Sequence, residues 1–80
     1  NRFVEGVIIV EVVKKSAADY AGLETGDIIV KVNNINISKP IDIRKIIIEN
    51  DLRAGDIVKL DIYRNENFKK VKMELGKYIK

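Results

Sequence analysis

The 80-residue chain contains no histidine, no cysteine and no tryptophan. Without histidine, a Ser-His-Asp arrangement cannot be assembled from this chain. Without cysteine there is no thiolate nucleophile, no disulfide and, with histidine also missing, no zinc site of the usual His/Cys kind. No metal or cofactor is therefore expected. Missing cysteine alone does not identify a compartment. Aromatic residues make up only 6% of the chain, and there is a single proline. No apolar run approaches the roughly 18–20 residues of a membrane span, and no signal-peptide pattern opens the sequence.

What is present describes one small folded unit. Apolar residues make up 46%, mostly isoleucine and valine, which argues against disorder. Charged residues of both signs reach 34%, as on a well-solvated surface. The net charge of +3 is unevenly placed. Residues 1–58 carry 8 basic and 9 acidic side chains, whereas residues 59–80 carry 7 and 3. The cluster Lys69, Lys70, Lys72 could meet phosphates or an anionic surface. The plainer reading is a solvated edge strand, because lysines on an edge discourage strand-to-strand association. Nucleic-acid readers interleave aromatics with such clusters, and only Phe68 lies near, so no nucleic-acid partner is expected.

Local chemistry predicts the elements. A strand is expected over 7–13. Ser16 is a good N-cap for a short helix over 17–21, and the small Ala17, Ala18 and Ala21 let that helix lie close to a sheet. Gly22 ends the helix in the left-handed region. Gly26 and Asp27 turn the chain into a β-branched strand over 28–32. Asn33 and Asn34 tolerate positive φ and open a hairpin. Ser38 is read as the cap of a second helix that runs to about residue 50, with Pro40 and Asp42 in its first turn. Ile43, Ile46, Ile47 and Asn50 share one face, with Arg44 and Ile48 on a flank. Strands over 57–63 and 68–75 follow. The alternation of Val58, Leu60 and Ile62 with Lys59, Asp61 and Tyr63 marks one buried face, as does that of Val71, Met73 and Leu75 with Lys70, Lys72 and Glu74. Both serines read as caps rather than nucleophiles, and Asp27 and Asp56 as turn-makers rather than an acid/base pair. Tyr20 is read as lying on the exposed or half-exposed side of the short helix, its ring packing on the sheet rather than meeting a partner.

The order S-x-A-x-x-A-G-L-x-x-G-D-x-I-x-x-V-N over residues 16–33 resembles the central motif of the PDZ domain. Ser16, Gly22, Leu23, Gly26, Asp27 and Asn33 carry it. Residues 5–13 look like the strand that leads into it, and 54–65 like the penultimate strand, so the likeness covers roughly residues 5–75. Ala17 stands where the family often has proline, and Asn34 where it often has glycine. The closest flavour is that of HtrA/Deg-type serine proteases. The resemblance implies an α+β fold, a partly open barrel of four to five strands with two helices. It implies a peptide-binding module for apolar C-terminal or unfolded segments, with no activity of its own. Such a module regulates or supplies a protease domain elsewhere in an extracytoplasmic, periplasmic or cell-envelope parent. Parents of the site-two metalloprotease or C-terminal processing kind, or a non-protease scaffold or secretion adaptor, remain the alternatives.

In this family a peptide adds a strand to the sheet, and the second helix walls the groove. Ile43, Arg44, Ile47 and Ile48 are the groove candidates. Ile43, Ile46 and Ile47 can equally be core, but three consecutive isoleucines cannot all face a sheet. The family's carboxylate-binding loop precedes the segment at the start of this chain, and residues 2–6 resemble the connection that follows it. A single PDZ-like unit over 1–80, cut from a longer parent, is therefore expected; the alternative is a degenerate PDZ domain that does not bind ligands in the usual way. It should bind peptide carboxylates weakly by itself, with an exposed strand edge open to self-association.

Overall fold

A computed structural model describes residues 4–76. Five antiparallel strands and two helices follow in the order β1 (Val7–Ile8), α1 (Ala17–Ala21), β2 (Ile28–Val32), β3 (Ile35–Asn36), α2 (Pro40–Glu49), β4 (Ile57–Arg64) and β5 (Asn67–Glu74). The sheet runs β1-β2-β4-β5, and β3 pairs with β2. The result is the open α+β architecture that the sequence implies.

Period-two patterning builds the core. Val58, Leu60 and Ile62 all point inward from β4 and are buried. The register sets Ile29 opposite Ile62 and Val32 opposite Leu60, so the inner faces of β2 and β4 merge. Leu23, Ile37 and Ile46 close the cluster, and Val71, Met73 and Leu75 pack against it from β5. Two hairpin turns have both central residues at positive φ: Asn33 and Asn34 at 50° and 68°, Asn65 and Glu66 at 51° and 66°. That pairing matches the right-handed twist of the strands they join.

Three local expectations are corrected. The strand expected over 7–13 has only Val7–Ile8 in the ladder. Ile9 still exchanges hydrogen bonds with the turn, donating to the Asp27 carbonyl at 2.8 Å and accepting from Gly26 N–H at 2.7 Å. Beyond it, β2 has already turned away, so Val10 and Val13 have no strand opposite and are exposed. At α2 the N-cap is Lys39, not Ser38. Asp42, one turn in, does the capping: its carboxylate accepts from the backbone N–H of Ser38 at 2.9 Å and of Lys39 at 3.0 Å. Those bonds hold the Asp42 carboxyl below its ordinary range. Asn50 is not on the buried face. It is the C-cap, exposed, with its amide donating to the Ile46 carbonyl at 2.9 Å.

Helix α1 forms as expected. Ser16 Oγ accepts from Asp19 N–H at 3.2 Å. Gly22 stops the helix at φ 86°, and Leu23 N–H returns to the Ala18 carbonyl at 3.0 Å. A Cβ built on Gly22 would meet nothing within 4 Å. The cost of a side chain there is purely conformational. Gly22→Val is expected to lose about 1–3 kcal/mol through left-handed strain. Gly22→Asn should recover part of that. A urea midpoint unchanged in the valine variant would place the helix stop elsewhere.

Candidate functional site

The motif residues converge on one ion pair. Asp27 is 1% exposed. Its carboxylate accepts Glu24 N–H at 2.8 Å, which is the turn-making role expected of it. It also takes a two-pronged grip from Arg64 at the end of β4: Nε at 2.8 Å and Nη2 at 2.7 Å. The same Nη2 donates to the Gly22 carbonyl at 2.9 Å, and Nη1 lies 3.6 Å from Glu24. One guanidinium thus ties the helix stop at Gly22, the turn before β2 and the far end of β4 into a single unit. Its hydrogen bonds hold Asp27 below the ordinary carboxylate range against the opposing effect of burial. Asn33 makes a matching tie at the other end of β2. Its N–H donates to the Lys59 carbonyl at 2.7 Å, and its Oδ1 accepts Lys59 N–H at 2.8 Å.

Arg64 was invisible as a motif residue, but parity would have found it. Positions 58, 60 and 62 point inward, so 64 does too. An arginine at an inward position needs an acid, and Asp27 is the buried one. Among the described residues no buried side-chain nitrogen or oxygen lacks a partner.

On α2 the structure divides the groove candidates into two ridges. Ile43 packs against the core, with Ile46 fully buried. Ile47, one turn beyond Ile43, is half-buried. Arg44 and Ile48, also one turn apart, are exposed, Ile48 by 68%. Sequence reading missed Ile41, which is 51% exposed. Its spacing of three and seven residues from Arg44 and Ile48 puts all three on one stripe. The stripe holds two exposed isoleucines with two cations, because Lys45 lies four residues after Ile41 and three before Ile48. Tyr20, expected on the exposed or half-exposed side of α1, is 54% exposed.

The comparisons agree with this geometry. The family profile of the PDZ domain matches residues 8–53. The chain is 34% identical over 73 residues to the serine protease Do-like HtrB of Bacillus subtilis, covering 91% of the chain and 16% of that protein. It is 28% identical over 71 residues to a probable periplasmic serine endoprotease, DegP-like, of Ectopseudomonas mendocina, covering 89% and 15%. The chain thus spans about a sixth of the length of these relatives. Its fold matches the PDZ domain of an SdrC-like protein from Listeria monocytogenes with a TM-score of 0.75 at 18% identity, over 92% of the chain and 75% of that one. The half-chain profile match and the HtrB identity, laid on the strand order and the Gly22–Asp27 turn, place the chain in the PDZ family, of the kind found in HtrA/Deg-type serine proteases.

Proposed function

We propose that this domain captures apolar C-terminal or unfolded peptide segments on the α2 stripe and presents them to a protease domain elsewhere in a longer, extracytoplasmic parent. The stripe of Ile41, Arg44 and Ile48 carries the reading: two exposed isoleucines flank a cation on the helix that walls the family's groove. PDZ domains are non-catalytic binding modules, and the two relatives are named as serine proteases, one of them periplasmic. Ile47 forms the inner lip, and Ile43 anchors the helix to the core. The domain supplies affinity and no chemistry.

An NMR titration tests this, because it reads weak binding directly. A peptide ending in valine with a free carboxylate is titrated into this chain and into a longer piece of the parent. The α2 amides are expected to shift. Ile48→Asp is expected to weaken binding about tenfold, or about 1.4 kcal/mol. Its urea midpoint should hold, because Ile48 is exposed. A peptide that shifts no α2 amide in either protein, or that binds Ile48→Asp equally well, refutes the reading.

A further inference from the structure

The outer face of the β4–β5 hairpin has a composition that the α2 stripe does not explain. Strand parity points Lys59, Asp61 and Tyr63 away from the core. The ladder sets Lys72 opposite Lys59, Lys70 opposite Asp61 and Phe68 opposite Tyr63. On the other side Lys31 of β2 also pairs with Asp61. Four lysines therefore surround one carboxylate, and Lys70 takes it at 3.1 Å. Lys59 and Lys72 face each other across the strands, and among the described residues neither ammonium has an acidic partner. Like charges directly opposite one another on adjacent strands are destabilising. Protection of an edge needs lysines, but it does not need two of them head to head.

Between them lies a shallow cavity of about 260 Å³ lined by Asn34, Lys59, Asp61, Lys70, Val71 and Lys72. The face has an aromatic end at Tyr63 and Phe68 and a mixed end, where Ile57 stands opposite Glu74. Tyr63 and Phe68 stack at 4.9 Å between ring centroids, tilted by 57°, and Phe68 is 67% exposed. Ile57, 51% exposed, ends the same row of β4. Six residues of strand separate Ile57 from Tyr63, a span of about 20 Å.

We propose that this face is a second docking surface, and that it binds an extended acidic peptide segment with a side-chain carboxylate seated between Lys59 and Lys72. One carboxylate there turns a repulsive pair into two charge-assisted contacts. The Asn34 amide at the rim offers a further donor to the segment. An apolar residue of the segment would lie on the Phe68 ring. A bilayer fits less well, because Phe68 offers only one exposed ring and the hairpin tip beside it, Asn65–Glu66, is polar and acidic. The surface uses no residue of α2, so it stands or falls apart from the groove.

Fluorescence polarisation on the 80-residue chain tests it. The probe is a fluorescein-labelled, C-terminally amidated peptide of alternating glutamate and serine with one phenylalanine. Amidation removes the terminal carboxylate, and the Ile48→Asp variant separates this face from the α2 stripe. Lys59→Gln with Lys72→Gln is expected to weaken the probe at least tenfold and leave the urea midpoint unchanged or slightly raised. Binding should fall with added salt, and Ile48→Asp should bind as the parent chain does. Three results overturn the proposal: equal binding of the glutamine-for-glutamate peptide, an unchanged affinity in the double variant, or tighter uptake of a single-stranded oligonucleotide or anionic vesicles at matched charge.

Discussion

Arg64→Met is expected to cost about 3–5 kcal/mol of folding stability, because it strands a buried carboxylate rather than merely deleting a contact. An 80-residue domain has only about 4–12 kcal/mol to lose. The side chains of Arg64 and Asp27 are 16% and 2% exposed, so solvent cannot take over the missing partner. Arg64→Lys should recover only part of the loss, since an ammonium cannot reproduce the two-pronged grip and also reach the Gly22 carbonyl. Urea unfolding at neutral pH reads both variants. A loss below about 1 kcal/mol for the methionine variant would mean that the pair is not holding the fold together. Acid supplies an independent check. Asp27 has a lowered pKa in the folded state, so its contribution is complete above the unfolded-state value and disappears as pH falls through the folded one. Asp27→Asn should flatten the acid limb of the stability profile without removing the Glu24 turn bond.

Gly6→Ala is expected to be nearly as damaging as Gly6→Val, each losing about 3 kcal/mol. The first carbon of any side chain there would collide with the Ile29 carbonyl oxygen, and would lie 2.8 Å from Ile28 Cγ2 and 3.0 Å from the Ile29 carbonyl carbon. The obstacle is the backbone of β2, which cannot rotate aside. Gly22 makes the contrast, since its Cβ position is open and only its φ resists substitution. A series of alanine and valine at both positions, followed by thermal unfolding, separates collision from backbone strain. An alanine at position 6 tolerated within about 0.5 kcal/mol would show that β1 rides further from β2 than the ladder indicates.

The parts of the fold legible in the sequence were those fixed by local chemistry. Ser16 and Gly22 bracket α1 where capping and left-handed stops require. The β-branched run 28–32 is β2, and the alternation through 58–62 gives the inward face of β4. The misses come from partners distant in sequence. The reach of the first strand depends on where β2 begins to run beside it, which the valine-rich segment 7–13 does not encode. Lys39 became the cap because the Asp42 carboxylate takes the N–H groups of Ser38 and Lys39 from within the helix, and the Ser38 hydroxyl donates to that carboxylate rather than capping the first turn. For the candidate site, helical spacing had already set Ile48 on the flank, where it is exposed, but gave no sign of Ile41 beside it. The Asp27–Arg64 bond spans 37 residues, and no local rule links its ends.

The two ties on β2, Arg64 at one end and Asn33 at the other, set an order of local opening. Strand β4 lies inside the sheet, with Ile62 wholly buried and partners on both sides. Strand β1 hangs on two ladder pairs and the bonds of Ile9. Sub-global unfolding therefore begins at β1, while β2 and β4 stay clamped together and retain their amide protons longest. Release of β1 bares one edge of β2 over Ile28–Ile29 but leaves the turn at Gly22–Asp27 intact. Another strand laid on that edge would replace β1 without the rest of the sheet having to unfold.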